Sequence, residues 1–464
     1  MTALTADFAG LRTHIEGEVV TGTDAGYDDA RRVWNAATDR RPAAVVRCAG
    51  SADVRAALTF AREHDLEIAV RCGAHSSAGA SVLDDGLVID LSPMNSVQID
   101  PEARRARVGG GALLGDLDAA AQQHGLAVPA GLVSHTGVGG LTLGGGMGWL
   151  TRKHGLTIDN LVSAEVVLAD GRVVRASADS EPDLFWALRG AGSAFGVVTE
   201  FEFALHPVDP MVHLGLYFWP LEVGSAALRR LRDIASDLPP ELNLVFGAVN
   251  APPAPFVPPE HHFRPGYVGV LTSFGGPELH AEWAAKLSEG LPTLFDADMP
   301  IPYVQLQQLL DEGNRWGFYA WEKGTNFGEL SDEAITVLAG QAERKRSPLS
   351  MVLFYRLDGA YCATPDDATA FGSRRIPQFA AFIVGFTPDP SELPQERDWV
   401  RETWATLQPY ALGGGEYING LSELDDVRVR AVYGQKYERL AELKARYDPD
   451  NVFHRVANIQ PARR

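Results

Sequence analysis

Two segments rich in small residues have the composition of loops that hold an anionic ligand. The first, residues 71–79, reads Arg-Cys-Gly-Ala-His-Ser-Ser-Ala-Gly and directly follows a predicted strand at residues 66–70. Backbone N–H groups at the end of a strand can face a phosphate. The second, residues 137–148, contains seven glycines, so its backbone must pass very close to another group. The two loops together predict an extended ligand with phosphates; the alternative is that both are simple tight turns.

Other phosphate-binding and catalytic motifs are absent from the sequence. No Gly-x-Gly-x-x-Gly lies between a strand and a helix near the N-terminus, which argues against a Rossmann dinucleotide site. The chain also lacks a P-loop, a His-Glu-x-x-His zinc helix and a Gly-x-Ser-x-Gly nucleophile elbow. His261 and His262 lie in a proline-rich loop without spaced carboxylates or a third histidine, so no metal site is predicted.

The N-terminal region predicts strands and helices that position these loops. Residues 43–48 form an apolar run, Ser51 is placed to cap a helix, and residues 66–70 resume as a strand, which makes a β-α-β unit. Helices are also predicted near residues 113–124 and 182–188, and further strands at residues 87–91, 103–108, 164–168, 173–176 and 196–203. This first region ends near Pro207.

The remainder of the chain has a different pattern. Between residues 208 and 415, proline clusters alternate with strand-like runs such as residues 268–272 and 379–386, which indicates a separate α+β domain. A single helix is predicted at residues 427–447, where Asp448-Pro449 ends it.

Composition limits the classes of function. The 464 residues are 45% hydrophobic and 22% charged, as in ordinary globular proteins of two or three domains. A net charge of −19 argues against binding nucleic acid or an anionic membrane. The three cysteines are far apart, and no signal peptide or long apolar run is present, so we expect a cytoplasmic protein.

Five motifs in a fixed order are more specific than any one of them. They are residues 71–76, 131–148, 183–190 (Asp-Leu-Phe-Trp-Ala-Leu-Arg-Gly), 195–199 (Phe-Gly-Val-Val-Thr) and 447–453 (Tyr-Asp-Pro-Asp-Asn-Val-Phe). In this order they resemble the berberine-bridge-enzyme-like FAD oxidases, of the vanillyl-alcohol-oxidase and p-cresol-methylhydroxylase type. The resemblance covers nearly the whole chain.

The resemblance implies an α+β fold with an FAD-binding domain at residues 1–207, built from two α/β subdomains at about 1–105 and 106–207. A substrate domain at residues 208–415, an antiparallel sheet covered by helices, would be inserted before residues 416–464 return to the FAD domain.

The same resemblance implies where FAD lies. Its pyrophosphate would follow residues 71–76, the loop at residues 137–145 would run beside the isoalloxazine, Val197 and Val198 would lie toward the adenine, and Asn458 near the flavin ring. The implied cofactor-binding residues are Arg71, Cys72, Gly73, Ala74, His75, Ser76, Thr136, Gly137, Gly139, Gly140, Gly144, Val198 and Asn458.

His75 matches the family histidine that is joined through a ring nitrogen to the flavin 8α-methyl carbon. Such a bond needs a neutral imidazole at the dimethylbenzene edge and raises the flavin potential. Many relatives add a second bond from a cysteine, but that position is Val133 here, so the resemblance implies attachment through His75 alone. Cys72 stands at a family glycine position and is expected to be a small buried residue.

Thr136 occupies a position that in relatives overlooks the flavin C4a face, where valine permits and leucine obstructs access of oxygen. Threonine has the shape of valine, so we expect an oxidase that uses O₂. The neighbouring His135 either donates to the substrate or flavin or is satisfied within its own loop.

Tyr417 is the first candidate for the group that accepts the substrate proton. Relatives that oxidise alcohols carry a Tyr-x-Asn-Tyr stretch, whereas residues 416–420 read Glu-Tyr-Ile-Asn-Gly. A tyrosine hydroxyl can take the proton as hydride leaves carbon, although each tyrosine can equally be a packed aromatic. The further candidates are Tyr355 and Tyr303 as bases, and Trp321 and Lys323 as pocket-lining residues.

The resemblance therefore predicts an FAD-dependent oxidase. Hydride would pass from an alcohol-type small molecule, a secondary metabolite, to flavin N5, and O₂ would reoxidise the flavin to give hydrogen peroxide. The alternatives are a dehydrogenase of the same fold with another acceptor, a carbohydrate oxidase, and a flavin-binding protein without turnover. We expect a monomer or homodimer whose partners are the small-molecule substrate and O₂.

Overall fold

The computed structural model describes residues 7–463. The strands are β1 (Glu18–Thr21), β2 (Ala44–Arg47), β3 (Ile68–Arg71), β4 (Leu87–Asp90), β5 (Val97–Asp100), β6 (Arg105–Gly109), β7 (Leu126–Ala127), β8 (Leu161–Val167), β9 (Val173–Ser177), β10 (Val197–Ala204), β11 (His206–Pro207), β12 (Met211–Pro220), β13 (Leu242–Asn250), β14 (Pro265–Ser273), β15 (Phe295–Pro302), β16 (Tyr319–Phe327), β17 (Met351–Leu357) and β18 (Gln378–Thr387). The helices are α1 (Phe8–Arg12), α2 (Tyr27–Arg31), α3 (Ser51–Glu63), α4 (Leu114–Gln122), α5 (Val138–Gly144), α6 (Thr151–His154), α7 (Pro182–Ala191), α8 (Ser225–Asp237), α9 (Pro277–Ser288), α10 (Tyr303–Gln307), α11 (Asp332–Ala342), α12 (Ala360–Ala363), α13 (Leu393–Leu407), α14 (Asp426–Tyr433) and α15 (Tyr437–Tyr447).

The first sheet has the order β1-β2-β4-β3, in which β2, β4 and β3 are parallel and β1 is antiparallel to β2. Helix α3 connects β2 to β3 and buries Val54 and Leu58 against this sheet, as its apolar spacing requires. The helix begins at Ser51, but Gly50 occupies the N-cap position and no side chain caps it, so the predicted Ser51 cap is wrong. Strand β3 ends at Arg71, directly before the first loop.

The second sheet is antiparallel, with the order β5-β6-β10-β8-β9. Strands β8 and β9 form the predicted hairpin, in which Gly171 adopts the positive φ of 80° that the turn requires. Because β5 and β6 both belong to this sheet, the change from the first sheet to the second lies between residues 90 and 97, earlier than the predicted division near 105.

The third sheet is a seven-stranded antiparallel sheet with the order β15-β12-β14-β13-β17-β18-β16. Side chains alternate between its two faces. On one face, residues such as Leu244 and Phe246 pack against helices α8, α11 and α13. On the other face, Val245 packs with Leu216 and Val270 toward the N-terminal half of the chain.

The C-terminal segment returns to the second sheet. Tyr433 and Leu440 join the core that holds the side chains of β6, β8 and β10. The predicted single helix is instead two helices, α14 and α15, because Gly434 takes a positive φ of 48° between them. None of the described helices is long and apolar enough to cross a membrane.

Candidate active site

A cavity of about 1080 Å³ lies between the N-terminal sheets and the free face of the third sheet. Its walls come from the loop after β3, from the segment that leads into α5, from strands of the third sheet and from the C-terminal segment. Ligand sites in proteins commonly occupy about 300–1,000 Å³, so the cavity is large enough for an extended ligand.

The loop after β3 presents polar groups to the cavity that have no protein partner. The backbone N–H groups from Gly73 to Ser77 donate to no acceptor among the described residues. The buried Ser77 and Ser81 hydroxyls, which belong to residues lining the cavity, also have no partner there. Ala74 adopts a positive φ of 53°, a conformation that is strained for a residue with a Cβ and that is typical of functional loops. This cradle fits an anion such as a pyrophosphate.

The two glycine-containing segments touch each other through their backbones. A Cβ atom on Gly73 would lie 2.2 Å from the Gly137 nitrogen, and one on Gly137 would lie 2.3 Å from the Gly73 nitrogen. Glycine is therefore required at both positions. The second segment was predicted to be a loop, but its centre folds as helix α5, so the close approach occurs where the chain enters this helix.

His75 is held by three aromatic residues. Its Nε2 atom lies 2.6 Å from Nδ1 of His135, its ring stacks on Trp34 at 5.0 Å, and Trp316 meets it edge-on at 6.2 Å. Burial, with a smaller contribution from His135, lowers the pKa of His75 to about 3. His75 is therefore neutral at ordinary pH. His135 is paired with His75 and not with its own loop.

Arg71 and Cys72, the two residues before Gly73, lie in different surroundings. The Arg71 guanidinium donates to the Ala30 carbonyl, lies 3.7 Å from Asp90 and does not line the cavity. Cys72 does line the cavity, with Sγ 3.6 Å from the Ala112 carbonyl oxygen, and burial raises the pKa of its thiol to about 11. The thiol is protonated at neutral pH, which leaves it a weak nucleophile.

Tyr417 has the hydrogen bonds of a proton-accepting group. Its hydroxyl oxygen accepts from the Gly146 N–H at 3.1 Å and from Asn419 Nδ2 at 3.0 Å. Burial raises the pKa of Tyr417 to about 12, and the two donors act in the opposite direction because they stabilise the phenolate. Asn419 also donates to the Leu141 carbonyl at 3.1 Å, which anchors it to α5.

The other two candidate tyrosines are placed differently. Tyr355 lies on β17, lines the cavity and packs edge-on against Phe382 at 5.3 Å, and its hydroxyl forms no hydrogen bond within residues 7–463. Burial raises the pKa of Tyr355 above its ordinary value. Tyr303 is buried in α10 against Phe274 and does not line the cavity, so its candidacy as the base is wrong.

The pocket-lining prediction for Trp321 and Lys323 is also wrong. Lys323 Nζ lies 3.0 Å from Glu423, and Trp321 lies under the guanidinium of Arg401, both away from the cavity. Because side chains alternate along a strand, the residue between them, Glu322, lines the cavity instead. The alternation was visible in the sequence, but nothing there showed which face was inward.

Most of the other predicted cofactor residues line the cavity, namely Gly73, Ala74, His75, Ser76, Thr136, Gly137, Gly139, Gly140, Gly144 and Val198. Asn458 does not, because its side chain bonds to Asn451 at 2.9 Å and Asp426 at 3.2 Å. Asn419, which sequence reasoning missed as a site residue, lies against Gly144 instead: a Cβ on that glycine would be 2.2 Å from the Asn419 Oδ1 atom.

Residues 42–177 match the family described as FAD binding domain, and residues 416–460 match the family described as berberine and berberine like. An FAD-linked oxidoreductase of Dictyostelium discoideum is 32% identical over 453 residues, which cover 96% of this chain and 95% of that protein. The chain belongs to the berberine-bridge-enzyme-like FAD-linked oxidases. The predicted family and α+β fold are confirmed.

Two further similarities agree with this family. The (R)-6-hydroxynicotine oxidase of Paenarthrobacter nicotinovorans is 32% identical to this berberine-bridge-enzyme-like protein over 462 residues, with 96% of this chain and 97% of that protein covered. The crystal structure of 6-hydroxy-D-nicotine oxidase from Arthrobacter nicotinovorans superposes with a TM-score of 0.84 at 28% identity, covering 97% of this chain and 98% of that chain.

FAD is the cofactor of this berberine-bridge-enzyme-like protein, and the cavity fits it. The unpartnered N–H groups and the Ser81 hydroxyl provide donors for the pyrophosphate. The tight crossing of Gly73 and Gly137 holds the two glycine-containing segments together at the cavity wall. When bound, the flavin supplies the two-electron chemistry of the enzyme.

Proposed function

We propose that the enzyme is an oxidase whose FAD is attached through His75 alone and whose substrate is an alcohol-type small molecule. The observation that carries this proposal is the environment of His75: a neutral imidazole on the cavity wall with one ring nitrogen held by His135 and the ring fixed on Trp34. An imidazole must be neutral to act as a nucleophile, and this one is also prevented from rotating.

The contact with His135 assigns the reacting nitrogen. Nε2 of His75 is occupied by His135, whereas Nδ1 has no partner among the described residues. We assign the attachment to Nδ1, which would be the atom that bonds to the 8α-methyl carbon. That carbon would lose one C–H bond, and O₂ would take up the two electrons and two protons released, giving hydrogen peroxide. His135 Nδ1 accepts the proton from His75 Nε2, which prevents a positive charge from building on the attacking imidazole.

The surroundings support one bond only. Val133 lines the cavity at the position of the second attachment in many relatives and carries no reactive atom. Cys72 is close in sequence, but its raised pKa keeps the thiol protonated. A single histidyl linkage is thus the proposal that agrees with both residues.

Tyr417 is the group that we assign to the substrate proton. Two N–H donors on its oxygen stabilise the phenolate that forms when the tyrosine gives its proton to solvent. In that state Tyr417 would accept the hydroxyl proton of the substrate, and the flavin would supply the acceptor for the hydride of the adjacent C–H bond. Tyr355, without a hydrogen-bond partner, shapes the cavity and makes a weaker candidate.

The walls of the substrate half favour a metabolite over a carbohydrate. Several residues on the free face of the third sheet are aliphatic, including Leu216, Val245, Val268, Val270 and Leu353. A sugar presents hydroxyl groups that need polar partners when water is removed, and aliphatic walls do not provide them. The substrate we propose is accordingly a secondary metabolite that carries a hydroxyl group on a largely apolar body.

Oxygen is the acceptor that we propose, because Thr136 lines the cavity with a small β-branched side chain. Anaerobic mixing with a panel of apolar alcohols, followed by exposure to O₂, tests this. The proposal requires bleaching of the flavin by a panel member, rapid recovery of the colour with O₂ and one equivalent of hydrogen peroxide. Bleaching followed by slow recovery would indicate the dehydrogenase, and no bleaching across the panel would favour a flavin-binding protein without turnover.

A further inference from the structure

Glu322 faces the cavity from the middle of β16. In the sheet register it lies opposite Val384 of β18, which in turn lies opposite Met351 of β17. The three residues form one row across three strands, and all three line the cavity. The pleat therefore fixes the Glu322 carboxylate on the inner face.

Of the residues that the structure describes, four with charged side chains line the cavity, and three of them are in ion pairs. Glu312 and Arg315 lie 3.7 Å apart, and Arg455 lies 3.0 Å from Glu67. Glu322 has no cationic partner within residues 7–463. The lysine that follows it in the chain points to the other side of the sheet, where it pairs with Glu423.

The cavity wall around Glu322 is mostly apolar. From the third sheet and the C-terminal segment it includes Phe318, Met351, Phe382, Val384, Phe386 and Leu421, with the tyrosines Tyr355 and Tyr417 beside them. Burial raises the pKa of the Glu322 carboxyl to about 7, and the nearby Ser77 hydroxyl opposes this only in part. A carboxylate in such surroundings is stabilised when a ligand brings the missing positive charge.

We propose that Glu322 is a cation-binding subsite and that the substrate is an alcohol carrying a basic nitrogen, whose ammonium group pairs with this carboxylate. The inference rests on the proposed function, because it assumes that the alcohol carbon is oxidised in the same cavity that holds the nitrogen. The charge of Glu322 also acts on Tyr355 and Tyr417, raising the pKa of both, so the three groups surround one space. The net charge of −19 attracts cationic ligands to the protein as a whole.

The test compares two probes of the same shape with the oxidised holoenzyme. Binding of 2-phenylethylamine, as the ammonium ion, and of neutral 2-phenylethanol is followed at pH 8 through the change in flavin absorbance. We expect the amine to bind about 30-fold more tightly than the alcohol, which is typical of one charge-assisted hydrogen bond. In Glu322→Gln this preference falls to about threefold or less, while the affinity for 2-phenylethanol is unchanged.

The matched control is Glu312→Gln. This variant also removes a carboxylate that lines the cavity, but one that is already paired with Arg315. It should keep the preference for the amine. Glu322→Asp retains the charge on a shorter side chain and should keep part of the preference, which separates loss of charge from disturbed packing.

Two results would overturn the inference: equal affinity of the wild-type holoenzyme for both probes, or an undiminished preference for the amine in Glu322→Gln with normal flavin content. Because binding is read from the oxidised flavin immediately after mixing, before any reduction, failure of the covalent linkage or of the oxidase activity would leave this measurement intact. Conversely, an enzyme that oxidises neutral alcohols and binds both probes equally would retain the proposed function and lose this subsite.

Discussion

The Nε2 atom of His75 lies 2.6 Å from the Nδ1 atom of His135, and this contact gives the two nitrogens of His75 different roles. One nitrogen is held by the neighbouring ring, and the other, which has no partner among the described residues, is the atom that we propose for the bond to the flavin. The contact joins the loop after β3 to the segment before α5, the same two segments that cross at Gly73 and Gly137. The proposed attachment of the cofactor and the shape of the loop that would hold it thus depend on the same two segments.

Replacing His135 by glutamine should slow the attachment of FAD. The variant loses the group that accepts the Nε2 proton, so the rate should fall by about 10²-fold or more, within the usual contribution of a general base. The measurement is the increase of protein-bound flavin fluorescence on denaturing gels after FAD is added to apoprotein. His124→Gln changes an exposed histidine and should attach FAD at the wild-type rate. Equal rates in all three proteins would refute the role of His135.

Replacing Tyr417 by phenylalanine should slow flavin reduction by substrate by about 10²- to 10⁴-fold. The change removes the proton acceptor but keeps the ring packed against Phe371 and Phe382. Stopped-flow anaerobic reduction measures the rate, with flavin content as the check on folding. Tyr355→Phe, which removes a hydroxyl without a hydrogen bond, should cost less than about tenfold. If the rate of flavin reduction fell further in Tyr355→Phe than in Tyr417→Phe, Tyr355 and not Tyr417 would be the proton acceptor.

Replacing Thr136 by leucine should slow reoxidation by O₂ by about tenfold, equivalent to about 1.4 kcal/mol of barrier. The larger side chain fills space beside the flavin that threonine leaves open at the cavity wall. Thr136→Val preserves the shape and should reoxidise at close to the wild-type rate. Mixing the reduced enzyme with oxygenated buffer measures both. Fast reoxidation of the leucine variant would show that oxygen approaches by another path.

Replacing Glu322 by glutamine should change how stability depends on pH. The folded pKa of about 7 lies above the ordinary glutamate value of 4.5, so the unfolded chain loses this proton first as the pH rises. The wild type therefore loses stability between about pH 4.5 and pH 8, and the variant is spared this loss. We expect similar melting temperatures near pH 4.5 and a value about 1–3 °C higher for Glu322→Gln at pH 8. If the melting temperatures of wild type and Glu322→Gln differed by the same amount at pH 4.5 and at pH 8, the raised pKa of Glu322 would be contradicted.

Replacing Lys444 by methionine should lower the free energy of unfolding, because this lysine holds the C-terminal segment in place. Its fully buried ammonium group donates to Asp448 at 2.6 Å and to the carbonyl oxygens of Ala194 and Phe453 at 2.7 Å each. Removing one member of such a buried pair costs about 3–5 kcal/mol. Urea unfolding measures the loss, and Lys286→Met, which removes an exposed pair with Glu282, should cost less than about 1 kcal/mol. Similar costs in both variants would contradict this account.

Local patterns in the sequence predicted the elements that hold the first loop. The apolar spacing of α3 and the Asp-Gly turn after β8 are short-range signals, and both elements form as predicted. Helix α5 was missed because its glycines disfavour a helix, and packing with α7 and the C-terminal segment overrides that preference.

The parts of the site that could not be predicted depend on contacts between distant segments. Whether Lys323 or Glu322 faces inward depends on which side of the third sheet meets the cofactor half, and a single strand does not contain that information. Asn419 lines the cavity because the returning C-terminal segment brings its side chain to the Leu141 carbonyl of α5, whereas the Asn458 side chain is held within that segment by Asp426. His135 required the fold to bring it beside His75, 60 residues away in sequence.

The central claim is tested most directly by locating the flavin on the polypeptide. The purified protein is precipitated with acid, digested with trypsin and analysed by mass spectrometry, with fragmentation because His75 and Cys72 fall on one peptide after Arg71. We predict that the yellow colour stays with the precipitate and that the flavin mass is found on His75 only, and that His75→Ala releases the colour. Flavin in the supernatant of the wild-type protein, or its mass on Cys72 or Cys362, would contradict the account.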